Sequence, residues 1–129
     1  MEKDRMILVA AGAIAVGVHA GLAPDELGEW APLGVSFVLA AVALAGAVAV
    51  LAVGRDHCEQ AAAGLALLFV GLVVGYVATR LVALPPLDPD REPFDPLGVA
   101  TTLIEAAGLV AALRLVSRKT ATSMAGGMK

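Results

Sequence analysis

The sequence predicts an all-α fold, a transmembrane four-helix bundle with the N and C termini cytoplasmic. Three observations predict it. First, 59% of the 129 residues are hydrophobic and only 16% are charged, with a mean hydropathy of +0.84. A soluble globular chain carries about 45–50% apolar and about 25% charged residues. Second, the apolar residues form four runs separated by short polar joints, each run about 18–24 residues long, the length an α-helix needs to cross a hydrocarbon core of about 30 Å. Third, Lys and Arg are segregated among the joints, as the positive-inside rule requires.

The predicted helices are Met6–Ala23, Ala31–Val53, Ala61–Leu84 and Leu97–Val116, with a tail over 117–129, in a single membrane domain. The first run has a rival reading as a signal peptide, because Met1 to Arg5 is charged and Gly21-Leu22-Ala23 offers a small-residue cleavage pattern. Its apolar stretch is longer than a signal core and contains His19, so a retained helix is favoured. Pro24 is expected to end this helix, since proline has no N–H to continue the ladder. In the second run, Trp30 stands where an interfacial anchor belongs and Pro32 fits a first helical turn. The third run ends at Leu84, where Leu84-Pro85-Pro86-Leu87-Asp88-Pro89 predicts an extended segment across the mouth of the bundle. Pro96 opens the fourth helix, and Thr120–Lys129 reads as a frayed end.

Orientation follows from charge. Lys3 and Arg5 precede the first helix, Arg55 lies in the second joint, and Arg114, Arg118, Lys119 and Lys129 close the chain. The other two joints hold Arg91 against seven acids, namely Asp25, Glu26, Glu29, Asp88, Asp90, Glu92 and Asp95. The termini and the second joint are therefore expected in the cytoplasm and the acidic joints outside, in a prokaryotic plasma membrane.

Packing in lipid relies on close backbone approach. Gly17 and Gly21 share a GxxxG spacing, as do Gly71 and Gly75, so these four glycines are predicted to seat neighbouring helices. A face for self-association is the alternative.

Ionisable groups at membrane depth need a partner or a purpose. The candidate polar cluster is His19, Glu29, Arg80 and Glu105, one from each predicted helix or its border, all toward the acidic-joint side. Arg80 and Glu105 form the natural ion pair, because either alone would bury an unpaired charge. A functional cluster would bind a cation, a proton or a small anion, whereas a structural one would fix helix register, with Arg80 snorkelling and Glu105 accepting from Thr79. His19 with Glu26 and Glu29 is a weak metal candidate, since imidazole and carboxylates suit a divalent ion. His57 and Cys58 read as a polar turn in preference to a weak metal site, and Tyr76 as a packing residue in preference to an extension of the cluster beside Arg80.

Other classes are excluded. One cysteine, Cys58, allows no intrachain disulfide and no thiolate cage. No basic patch points to nucleic acid, no cofactor motif occurs, and the sets that mark hydrolases and phosphate binders are missing.

The pattern His19…Pro24…Glu29-Trp30-Ala31-Pro32-Leu33-Gly34…Phe37, then Thr79-Arg80…Leu84-Pro85…Glu92-Pro93…Gly98…Glu105, resembles a group of small four-helix integral membrane proteins of actinobacteria and similar prokaryotes that has no assigned activity. The resemblance covers most of the chain and implies prokaryotic membrane residence, with His19, Arg80 and Glu105 in the shared pattern. Where that group often has His this chain has Glu26, and where it has Asp this chain has Ala100 or Thr101, so no complete metal site is implied.

The sequence thus favours a non-enzymatic structural or accessory subunit, or a homo-oligomer, whose partners are the lipid bilayer and membrane-embedded protein. The alternative is a small cation- or proton-coupled transporter or ligand-binding protein that uses the polar cluster. A phage holin is a third option, which four well-anchored spans with buried charges make superfluous.

Overall fold

Proline does not end the first helix. The computed structural model describes residues 2–54, 56–85 and 90–128, and in it α1 runs Glu2–Glu29 straight through Pro24. Only the Ala20 carbonyl loses its i+4 donor there, close to the helix end, and polar residues Asp25 to Glu29 still complete a last turn. Trp30 alone separates α1 from α2, Ala31–Val53, its N–H donating to the Glu26 carbonyl at 2.8 Å while its own carbonyl receives the Gly34 N–H at 3.1 Å. A one-residue joint forces the two helices into a tight hairpin. Gly34 permits it, because a Cβ at this position would land on the backbone nitrogen of Leu27.

At the other end α2 stops at Gly54 and α3, Cys58–Leu81, begins after His57. His57 is left-handed at φ 63°, the one described non-glycine residue with positive φ, and the reversal of direction rests on it. The Cys58 thiol closes the joint onto the Gly54 carbonyl at 3.0 Å. Helix α3 ends at Leu81 rather than at the expected Leu84, since the chain is already extended at Val82 ahead of Pro85. Arg55, the Pro86–Pro89 part of the expected extended segment, Met1 and Lys129 lie outside the described residues.

Helix α4 spans Pro96–Gly126, ten residues past its expected end at Val116, so the tail read as frayed is helical. Two contacts explain the extension. Arg114 and Arg118, one turn apart on α4, both reach the Asp4 carboxylate near the start of α1, at 3.9 and 2.9 Å. Beyond them, the Thr120 and Thr122 hydroxyls bond back to carbonyls four residues earlier, and no Gly or Pro interrupts the run before Gly126.

The helices form a ring in which α1 packs on α2 and α4, and α3 packs on α4 and, least closely, on α2. Neighbours are antiparallel throughout. The contacts Gly12 with Val48, Tyr76 with Gly98, and Phe69 with Gly108 pair early residues of one helix with late residues of the next. All four helices are long and apolar enough to cross a membrane. The core lies toward the termini end, where Leu8, Leu44, Leu51, Leu65 and Phe69 are the largest side chains fully buried. Arg5 seals that end of α2 by donating from Nε to the Leu51 carbonyl at 2.8 Å, supplying one of the carbonyls a helix terminus leaves unpaired.

The glycines that bring helices together are not the ones the spacing singled out. A Cβ added at Gly17, Gly21, Gly71 or Gly75 would meet nothing within 4 Å, whereas at Gly12, Gly34, Gly98 and Gly108 it would collide with a neighbouring element. In a four-helix ring each helix turns only part of its surface to protein: Gly17 and Gly21 are exposed on the outside of α1, while Gly71 and Gly75 border an open cavity rather than a packed neighbour.

Candidate functional site

Toward the acidic-joint end the bundle is hollow. A cavity of about 490 Å³ lies between the four helices, reached by α1 through His19 and Glu26, by α2 through Leu33, Ser36 and Phe37, by α3 through Leu72, Tyr76, Thr79 and Arg80, and by α4 through Gly98, Thr101, Thr102 and Glu105. The α3–α4 joint adds Glu92 and Asp95. Ligand pockets are typically about 300–1,000 Å³. Phe69 sits beyond its deep end, fully buried and in contact with Gly108, and the dry leucine and alanine core follows.

The deep wall carries Glu105, about 14 Å along α4 from Pro96 at 1.5 Å per residue. It is 2% exposed, and its Oε1 has no hydrogen-bond partner among the described residues. His19 stands across from it on α1, with Nδ1 4.0 Å from Oε1, too long for a hydrogen bond. That nitrogen instead donates to the Ala15 carbonyl at 2.8 Å, as it must, since a carbonyl only accepts. The imidazole also stacks at a tilt on Phe37, with ring centroids 5.1 Å apart.

The mouth is built around Arg80. Its Nη1 lies 3.0 Å from Glu92 Oε2 and 2.9 Å from the Thr79 hydroxyl, its Nη2 3.1 Å from Asp95 Oδ1, and its guanidinium rests 4.2 Å from the centre of the Tyr76 ring. Asp95 has a second duty as N-cap of α4, where its Oδ2 accepts the Gly98 N–H at 2.6 Å. That backbone bond, then the Arg80 and Tyr76 contacts, hold its carboxyl below the usual carboxylate range. Pro96 at the first helical position keeps the cap in place. The Glu92 N–H donates to the Thr79 carbonyl at 3.1 Å, pinning the joint to the end of α3.

The expected Arg80–Glu105 pair is therefore not formed. In the antiparallel α3–α4 pair, Tyr76 faces Gly98 and Phe69 faces Gly108. The same register puts residue 80 level with about 94–97 and residue 105 level with about 69–72, roughly 15 Å apart along the axis. Arg80 takes the acids just before α4, and Glu105 is left deeper. Glu29 is not brought to the cluster either: it is the exposed last residue of α1 and does not line the cavity. Of the candidate cluster, the structure gathers His19, Arg80 and Glu105 around one cavity. Of the metal candidates, His19 and Glu26 line it and Glu29 does not, and no group of three or more His, Cys, Asp or Glu is placed to hold a metal among the described residues. Trp30 is exposed at the hairpin between α1 and α2.

Sequence reading passed over Glu92 and Asp95 as site residues, and preferred a packing role for Tyr76 over a place in the cluster. The signal for Asp95 was present, since Asp followed by Pro ahead of an apolar run is an N-cap with proline at the first helical position. Asp4, buried against two arginines, left no comparable signal: it looked like one more charge before the first apolar run. Comparison with protein-family models, curated proteins and solved structures finds no match to the chain.

Proposed function

We propose that this chain is a non-enzymatic multi-pass protein of a prokaryotic plasma membrane that binds a small ligand in the cavity between its four helices. One observation carries the reading: Glu105 is buried on the wall of a ligand-sized cavity with a carboxylate oxygen that no described group satisfies. A residue that only fixed helix register would be paired, because a buried polar group left unsatisfied costs about 1–3 kcal/mol, and more when charged. The Lys and Arg distribution supports an orientation in which the cavity faces outward and both termini lie in the cytoplasm. Tight packing at Phe69, Leu65 and Leu44 supports a blind pocket over a conduit for transport.

The subunit or homo-oligomer reading keeps one support of its own, the outward-turned Gly17 and Gly21 on α1, beside which close helix approach is open. Native mass spectrometry of the chain, extracted gently from its own membrane, tests both. A small molecule retained by the wild type and lost in Glu105→Gln supports the binding site. An unliganded chain recovered only in a defined complex overturns that reading in favour of a subunit.

A further inference from the structure

We infer that the cavity takes an amphipathic organic ammonium, its N–H group donating to Glu105 and its apolar body lying among the α2 and α3 side chains. This deepens the binding-site reading and rests on it. The first argument is hydrogen-bond inventory. Four of the five hydroxyls that line the cavity spend their protons within the protein: Ser36 donates to the Leu33 carbonyl, Thr79 to Tyr76, Thr101 to Leu97 and Tyr76 to Asp95, which leaves Thr102. His19 spends its Nδ1 proton on Ala15, so the neutral ring has only a lone pair left on Nε2. The deep cavity thus offers acceptors, chief among them the unpartnered Glu105 Oε1, and calls for a donor.

Charge gives the second argument. Among the described lining residues, four carboxylates (Glu26, Glu92, Asp95 and Glu105) face one guanidinium, Arg80. Arg80 is already bridged to Glu92 and Asp95, and the neighbourhood remains anionic. Arg80 Nε is the one buried lining N–H without a described partner, but it sits at the mouth and not beside Glu105.

The third argument separates an organic cation from a metal ion. A divalent ion needs several donors around it, and no group of three such side chains gathers among the described residues. Elsewhere the cavity wall is apolar, with Phe37, Leu33 and Leu72 among the lining residues. An ammonium on a hydrocarbon body brings its own apolar surface to that wall and a single charge to the carboxylate. The loosely packed α2–α3 seam, with exposed Gly71 at its edge, leaves that hydrocarbon a way toward the lipid.

The test uses the full chain in lipid nanodiscs at neutral pH and three probes of equal length: n-octylammonium, n-octanol and octanoate. Binding is read by calorimetry and by the rise in unfolding temperature, with empty nanodiscs of the same lipid subtracting partition into the bilayer. The expected result is at least about tenfold tighter binding of octylammonium than of octanol or octanoate. Glu105→Gln should lose that preference while still binding octanol, and Glu105→Asp, which keeps the charge, should retain most of it. The wild-type comparison among probes stands even if a variant fails to fold. Equal binding of all three probes overturns the ammonium inference and leaves the binding site intact. Preference for octanoate overturns it in favour of an anion at Arg80. No binding by any probe, with no ligand retained in native mass spectra, overturns both.

Discussion

Replacing Gly34 by Ala should separate α1 from α2, whereas the same change at Gly17 or Gly71 should leave the bundle unharmed. A Cβ at position 34 falls on the backbone nitrogen of Leu27 and 2.6 Å from its Cγ. Backbone cannot rotate aside, and the hairpin has one joint residue, Trp30, to absorb the shift. Overpacking of a tight contact costs about 1–3 kcal/mol, and the helix propensity gained on replacing glycine returns up to about 1 kcal/mol. Because the clash is with backbone, the upper end of that cost applies, and Gly34→Ala should lose about 2 kcal/mol net. At Gly108 the added Cβ would lie 2.6 Å from Phe69 Cε2, inside a fully buried ring contact, and a loss of similar size is expected. At Gly17 and Gly71 the Cβ meets nothing within 4 Å, so only the propensity gain of up to about 1 kcal/mol remains. Unfolding in mixed micelles of rising SDS fraction, followed by helical ellipticity and by the fluorescence of the single tryptophan, measures all four variants. If Gly17→Ala or Gly71→Ala costs as much as Gly34→Ala, the packed faces lie at the GxxxG motifs and the helix arrangement argued above is wrong.

Three further outcomes follow from named contacts. Asp4→Asn removes the buried charge that Arg114 and Arg118 share; it should lower stability by about 1–3 kcal/mol and raise amide exchange over 117–126, and unchanged exchange there would count against the tie. Asp95→Ala removes a helix cap and an Arg80 partner, a loss of about 1–2 kcal/mol at neutral pH. Because the folded Asp95 carboxyl is held low, its contribution is complete above its ordinary value of 3.8 and disappears as pH falls through the lower folded value; a stability-against-pH curve should show this acid loss in the wild type and a smaller one in Asp95→Ala. Arg5→Met strips the donor from the Leu51 carbonyl at the end of α2, for an expected loss of about 0.5–1.5 kcal/mol in the same SDS titration.

Sequence alone determined the number of helices, their approximate limits and their all-α character, because length and hydropathy are local quantities: a run of some twenty apolar residues satisfies its backbone internally whatever its neighbours do. It also marked His19, Arg80 and Glu105, since an ionisable side chain in such a run is conspicuous by itself. Tertiary structure decided what those residues meet. Partnership depends on register between helices, and a shift of two turns moves a side chain by about 11 Å, enough to give Arg80 to Glu92 and Asp95 and to leave Glu105 facing His19 across a cavity. The same holds for the glycines, whose spacing was visible but whose azimuth around the ring was not: Gly34 and Gly108, in no GxxxG motif, make the close approaches. Pro24 and the last ten residues of α4 were misjudged for one reason. Their local preference to break or fray is worth a few kcal/mol at most, and it yields where the rest of the helix is held, as α4 is by its two arginines on Asp4.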